Sequence, residues 1–278
     1  MYQRSPNSFD IQDALVEKIS SDPVAPVTQM VARIAPGSTI LDIGVGNGIL
    51  ARALQLAGKN AVLDGIEPVD RAVDIASGLY RHVYNGTFEE VASQLDLGSY
   101  DWVVMADVLE HMADPLWCLA TLRKGLKADA RLMASVPNIG FGSIALELLR
   151  GRFVYRDLGL LDRTHLHFFT RDSLTELLKE AGFSIREIVH LVRAIPSMEI
   201  PVRSGVLELL MLPWLSFQLP STTYQYIAVA GTGPGSMETR IIRDGSPARR
   251  LRQILEVYAR PFRTGAKLAR AIVSRLRS

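Results

Sequence analysis

The chain has 278 residues, 48% of them hydrophobic, a single cysteine and a formal net charge of +2. That is enough apolar material for a substantial core in one large or two small domains. The lone Cys118 excludes an internal disulfide and any multi-cysteine zinc site, and no uninterrupted apolar run approaches the roughly 20 residues that span a bilayer. Charge is uneven: residues 240–278 carry +9 and the rest −7, so an acidic body and a basic tail are expected to do separate jobs. The opening MYQRSPNSFD lacks a long apolar stretch, and with one thiol a reducing, cytoplasmic setting is expected.

In chain order, Ile11, Ala14, Leu15, Lys18 and Ile19 follow a helical period, with Ser8 or Asp10 as candidate caps and Pro23 as a stop. Val27, Met30, Val31 and Ile34 mark a second helix, and residues 1–36 form an N-terminal helical segment. Thr39–Leu50, TILDIGVGNGIL, is a β-rich run that passes an acid, Asp42, and the glycines Gly44, Gly46 and Gly48 before becoming helical. Glycine there permits φ > 0 and close backbone approach, and the amides of a helix N-terminus favour a negative group. The spacing G-x-G-x-G is one residue shorter than the dinucleotide fingerprint, and position 49 is Ile. Leu50, Ala53, Leu54 and Ala57 give a crossover helix ending at Gly58, and the strand Ala61–Ile66 carries Glu67 at its tip, where an acid accepts two ribose hydroxyls.

A helix over Val69–Leu79, a short strand His82–Tyr84 and a helix over Phe88–Leu95 follow. The fourth strand, Tyr100–Ala106, is apolar almost throughout, as a strand buried on both faces must be. It leads into Asp107, Glu110 and His111, the expected chemical site, because ligands of such sheets bind beyond the carboxyl ends of strands at a topological switch point. Asp114-Pro115 opens a helix in which Cys118 packs, and Arg131–Val136 is a fifth strand followed by a helix with Ile144, Leu148 and Leu149. Gly151–Phe169 is too long and polar for a routine connection and is expected to be functional. Thr170 caps a helix to Glu180, and Phe183–Val192 is a sixth strand. Val206–Leu219, interrupted by Glu208 and Pro213, reads as a packing helix with an interfacial role as the alternative.

Thr223–Ala230 is a seventh strand, Gly231–Ser236 a linker and domain boundary, and 237–278 a tail of two basic amphipathic helices. Those helices dock on their own domain, on a partner subunit or on an anionic membrane surface; nucleic acid is disfavoured, because the body is acidic and no aromatic platform is interleaved. Repeated β-α units make the fold class α/β, a doubly wound, mostly parallel sheet.

The segments LDIGVGNG and GIEP resemble the first two motifs of class I S-adenosylmethionine-dependent methyltransferases; the resemblance covers roughly residues 37–230 and implies a cofactor-binding domain over 37–236. DVLEHMADP resembles the post-strand segment of ubiquinone-pathway O-methyltransferases, and LDRTH with its following aromatics resembles the substrate-side insertion of a group that includes MetW-like proteins and sugar-modifying enzymes. The resemblance implies a Rossmann-like sheet of seven strands, the last inserted antiparallel beside the sixth, with the leading helices as core cover or a candidate lid. It implies S-adenosylmethionine as cofactor, at Asp42, Gly44, Gly46, Gly48, Glu67 and Asp107. The adenine falls near the Thr87 and Phe88 amides, where Thr87 stands in place of the family's usual acid.

The implied reaction is methylation of an oxygen on a small-molecule, sugar or lipid-linked acceptor. His111 beside Glu110 is the nominee for general base, with His165 or His167 second. Two alternatives remain open. One is a non-catalytic cofactor-binding or partner-binding protein of the MetW-like type. The other is a divalent-metal-assisted enzyme, because Asp107, Glu110, His111 and His165 fall at the ligand positions of metal-dependent methyltransferases of small-RNA ends, where the first ligand is normally Glu. A nicotinamide-dependent oxidoreductase is disfavoured by Ile49.

Overall fold

The structure, a computed structural model, describes residues 13–195, 200 and 206–244. Two helices come first, α1 (Asp13–Ser21) and α2 (Pro26–Arg33), the second opened by a proline at its first turn. The candidate caps Ser8 and Asp10 lie outside the described residues, as do the tail positions beyond Asp244. Then follow β1 (Thr39–Ile43), α3 (Ile49–Leu56), β2 (Val62–Glu67), α4 (Asp70–Ala76), β3 (His82–Asn85), the short α5 (Phe88–Val91) and β4 (Trp102–Ala106). After these come α6 (Pro115–Gly125), β5 (Arg131–Pro137), α7 (Gly142–Leu149), α8 (Arg171–Glu180), β6 (Ser184–Val192), α9 (Val206–Phe217), α10 (Leu219–Thr222), β7 (Thr223–Gly231) and β8 (Glu238–Arg243).

The strands form one sheet in the order β3-β2-β1-β4-β5-β7-β6-β8. The first five are parallel, and β7 runs antiparallel to β5, from Arg131 opposite Gly231 to Pro137 opposite Gln225. Parallel strands are buried on both faces, and successive side chains divide between two cores. Leu41 and Val103 join Phe88 of α5, Leu119 and Leu122 of α6 and Leu174 and Leu178 of α8 on one face. Ile40 and Val104 join Met30 and Val31 of α2, Leu50 and Leu54 of α3 and Ala76 of α4 on the other. Each fully buried aliphatic side chain of this kind contributes about 1.5–3 kcal/mol. The leading helix α2 therefore serves as core cover. Cys118 is buried in the first of these cores, and burial pushes its thiol well above the ordinary range.

The sheet has eight strands where seven were expected. Glu238–Arg243 adds β8 at the edge, in a stretch read from sequence as the start of a helical tail. Ion pairs invisible in a linear reading accompany it: Arg240 Nε lies 2.9 Å from Glu187 Oε1 on β6, and the same carboxylate also takes Arg33 of α2 at 2.7 Å. α5 is also shorter than its periodicity suggested, giving way to a 3-10 turn at Ala92–Gln94.

The chain divides into two compact units. The first carries β1 to β5, Tyr155–Leu191 and Gln225–Ile242. The second takes Gly140–Val154 and Val192–Tyr224, hence α7, α9 and α10, with its own apolar cluster of Leu146, Ile195, Leu212 and Leu215. The helix expected around Ile144, Leu148 and Leu149 is α7, but only Ile144 of these three is buried.

Candidate active site

Strand order reverses between β1 and β4: the crossover from β1 leads to β2 on one side, and the chain returns to β4 on the other. Their carboxyl ends flank the crevice in which open α/β sheets take their ligands. At the end of β1 the amides of Gly44 and Val45 both donate to Ile66 O, at 2.9 and 3.2 Å, tying the turn onto β2. Gly44, Gly46 and Gly48 have φ of +80°, +55° and +71°, a region that side chains other than glycine rarely adopt.

The glycines differ in what lies beside them. A Cβ on Gly44 would sit 2.5 Å from Val108 Cγ2, so the turn packs directly on the segment that follows β4. A Cβ on Gly46 would meet only Gly44 O at 4.0 Å, leaving open space that a methyl would fill. Glu67 lies beside the turn: its buried carboxylate accepts from Gly46 N–H at 2.7 Å and from Val69 N–H at 3.0 Å. An open glycine face beside an inward-turned acid at the tip of β2 fits a cofactor bearing a diol.

Asp42 lies beneath the turn, buried, with Tyr80 Oη donating to its Oδ2 at 2.6 Å. Burial raises its carboxyl to about 7; the Tyr80 bond opposes the rise and the Glu67 charge adds to it. Tyr80 in turn is pushed well above its usual value, by burial first and then by Asp42. Gly65 on β2 leaves room for this pair, since a Cβ there would lie 2.3 Å from Val45 Cγ2 and 3.2 Å from Tyr80 Cδ1.

Of the expected adenine contacts, one amide already has a partner within the chain. Thr87 N–H donates to Glu90 Oε2 at 2.7 Å in a capping box for α5, and Phe88 is buried, its ring 6.1 Å from that of Trp117.

Beyond β4, Asp107 adopts φ +58° and is exposed, yet its Oδ1 accepts from Ser135 Oγ at 2.7 Å and from Gln225 Nε2 at 2.6 Å. Leu109–His111 forms one 3-10 turn that sends Leu109 into the core and buries Glu110. The irregular insertion folds back onto this turn, with the amides of Leu166 and His167 donating to Glu110 O at 2.7 and 3.1 Å. That seating brings the His165 ring to 4.8 Å from the His111 ring. One ligand atom each from Glu110, His111 and His165 lie within 4.8 Å of one another. Asp107 is not part of that group, its carboxylate being held by Ser135 and Gln225. Nor is His167, whose ring lies 6.3 Å from Phe169.

Two residues of the LDRTH segment orient His111. Its Nδ1 lies 3.2 Å from Thr164 O and 3.1 Å from Thr164 Oγ1. Thr164 Oγ1 donates at 2.7 Å to Oδ1 of the buried Asp162, which also accepts Thr164 N–H at 2.8 Å. With the hydroxyl proton committed to Asp162, both Thr164 oxygens act as acceptors toward the ring. These partners assign the proton to Nδ1 and the lone pair to Nε2.

Sequence reasoning singled out the insertion that holds Asp162 and Thr164 without assigning either residue a role. Tyr80, Ser135, Gln225 and Val108 gave no signal, being ordinary residues made relevant by strands and turns remote in the chain.

Residues 16–188 match the family described as methyltransferase domain, and the chain belongs to that family. A ubiquinone biosynthesis O-methyltransferase of Dinoroseobacter shibae is 33% identical over 153 residues, covering 52% of this chain and 60% of that protein. One from Cereibacter sphaeroides is 28% identical over 189 residues, covering 66% of this chain and 72% of that protein. The fold is similar to a SAM-dependent methyltransferase from Archaeoglobus fulgidus, with TM-score 0.54 and 15% identity over 80% of this chain and 100% of that one. Fold and family together make this a class I methyltransferase with S-adenosylmethionine as its cofactor.

Proposed function

We propose that the chain transfers a methyl group from S-adenosylmethionine to an oxygen of a small-molecule, sugar or lipid-linked acceptor, with His111 as general base. The observation that carries this is the Asp162–Thr164–His111 chain, which fixes an imidazole just past β4, next to the segment that packs on the glycine turn. Relatives named as O-methyltransferases support oxygen as the acceptor atom.

Bound S-adenosylmethionine supplies a methyl group activated by a sulfonium. Glu67 accepts hydroxyl hydrogen bonds, and the open side of Gly46 admits the cofactor against the backbone. His111 Nε2 takes the acceptor's hydroxyl proton while Thr164 holds the opposite edge of the ring, and the buried Glu110 carboxylate beside it stabilises the imidazolium that results. Positioning the acceptor oxygen for in-line displacement at the methyl carbon, with the sulfur leaving as a thioether, would supply much of the rate.

The test is methyl incorporation from labelled cofactor into an acceptor-containing extract, alongside calorimetric cofactor binding. His111→Ala should lose about 10²–10⁴-fold in rate with cofactor affinity retained. Full activity in that variant refutes the base. A wild-type chain that binds cofactor without transferring methyl is a binding protein instead.

A second reading rests on the same cluster. Two imidazoles and a carboxylate are donors suited to a divalent first-row cation, and Glu110, His111 and His165 would hold it. Such an ion would acidify an acceptor hydroxyl. Turnover abolished by chelator and restored by added cation supports this variant, and full turnover in excess chelator removes it.

A further inference from the structure

We propose that the connection between β6 and β7 is a docking element for an anionic membrane surface, with α9 as the part that enters the interface. This goes beyond methyl transfer and does not depend on it.

β6 and β7 are neighbours in the sheet, yet residues 193–222 separate them. Among them α9 faces two ways. Leu212 and Leu215 turn inward to meet Leu146 of α7 and Ile195. Leu210, Trp214 and Phe217, spaced along the other side, are 69%, 57% and 88% exposed. Between Val206 and Thr222 the sequence holds a single charged residue, Glu208. The same unit also exposes Leu148, Leu149, Phe153 and Val154, with Arg150 and Arg152 among them. A cluster of large apolar side chains this open marks a surface that is covered in use, and a tryptophan with leucine and phenylalanine suits the interfacial layer of a bilayer.

Charge chooses the occupant. Residues 245–278 hold nine basic residues and one acid. This tail begins where the apolar connection begins: Asp244 N–H donates to Val192 O at 3.0 Å, and Arg193 Nη1 lies 3.9 Å from Asp244 Oδ2. Between two copies of the chain the basic tails repel, whereas anionic lipid attracts basic and apolar segments alike. Stable peripheral binding takes two signals, a modest apolar insertion and a polybasic segment, and this chain joins them at one point.

The experiment is co-sedimentation of the full chain with phosphatidylcholine vesicles containing about 30% phosphatidylglycerol, and with phosphatidylcholine alone. The wild type should bind the anionic vesicles, less so as salt rises from about 0.1 M to about 0.5 M, and bind neutral vesicles at least tenfold more weakly. The triple variant Leu210→Gln/Trp214→Gln/Phe217→Gln should bind anionic vesicles at least tenfold more weakly than wild type. Its helical circular dichroism and cofactor affinity should be unchanged, since all three side chains are exposed. Phe217→Gln alone, the least disruptive change, should weaken binding severalfold. Equal binding by wild type and triple variant overturns the proposal, as does equal binding to neutral vesicles. A wild type that ignores vesicles but forms a dimer dissolved by the triple variant also overturns it, in favour of a second copy as occupant.

Discussion

Substituting alanine at Gly44 and at Gly46 should separate the two jobs of the glycine turn. At Gly44 two costs add. Placing a Cβ at φ +80° costs about 1–2 kcal/mol. The same Cβ would also lie 2.5 Å from Val108 Cγ2, and overpacking of that kind costs about 1–3 kcal/mol. Gly44→Ala should therefore lose about 2–5 kcal/mol, a large share of a domain stability of about 5–15 kcal/mol. At Gly46 the φ of +55° carries only the conformational cost, since nothing lies nearer than 4.0 Å. That methyl would instead fill the open side of the turn, so Gly46→Ala should lose about 1–2 kcal/mol of stability but at least tenfold in cofactor affinity. Urea unfolding followed by circular dichroism measures the first quantity and calorimetry the second. Adding Val108→Ala to Gly44→Ala should recover the steric part and leave the conformational part, which a double-mutant cycle reads directly. No recovery on adding Val108→Ala, or unaltered cofactor affinity in Gly46→Ala, would refute the reasoning.

Three further outcomes follow from the geometry. Glu67→Ala removes the acceptor for two backbone amides and for the expected ribose hydroxyls, so calorimetric cofactor affinity should fall about ten- to hundredfold; unchanged affinity would count against the assignment. Thr164→Val should lower kcat about tenfold or more without changing cofactor affinity, and Thr164→Ser should restore it; a Ser variant as slow as Val means the hydroxyl does not orient His111. Asp42 stays protonated in the fold up to about pH 7, whereas in the unfolded chain it ionises near ~3.9. Between those values the native state holds the extra proton, so stability falls as pH rises, by at most about 1.4 kcal/mol per unit, and the loss is complete above the folded pKa. Asp42→Asn should flatten that fall in urea titrations at a series of pH values. Parallel curves for wild type and variant would exonerate Asp42.

The order of β-α units, the glycine turn and the acid at the tip of β2 were legible because each is a local pattern. An apolar run bounded by turn residues declares a buried strand, and three glycines between strand and helix declare a backbone that must bend where side chains cannot. The strand read as Tyr100–Ala106, followed by Glu110 and His111, could be placed by the same logic, with both residues at its carboxyl end, since strand ends in a parallel sheet have a known side. Local pattern failed at β8, a six-residue edge strand that pairs in the sheet with β6, more than forty residues back in the chain, and meets it through Arg240 and Glu187.

What the sequence determined by itself is the class of fold and the chemical vocabulary of the candidate site: glycines, an acid at the tip of β2, and histidines beside a carboxylate. Only the tertiary structure decided which of these meet. It chose His165 over His167 as the neighbour of His111: the Leu166 and His167 amides dock on Glu110 O, and the His165 ring comes to 4.8 Å from the His111 ring. It withdrew Asp107 from the cluster by holding it to Ser135 and Gln225, on strands β5 and β7 far along the chain. It also left α9 with one apolar face packed and the other in water. Hydrophobic periodicity records that a side chain is apolar; whether anything stands opposite it is a property of the packed chain.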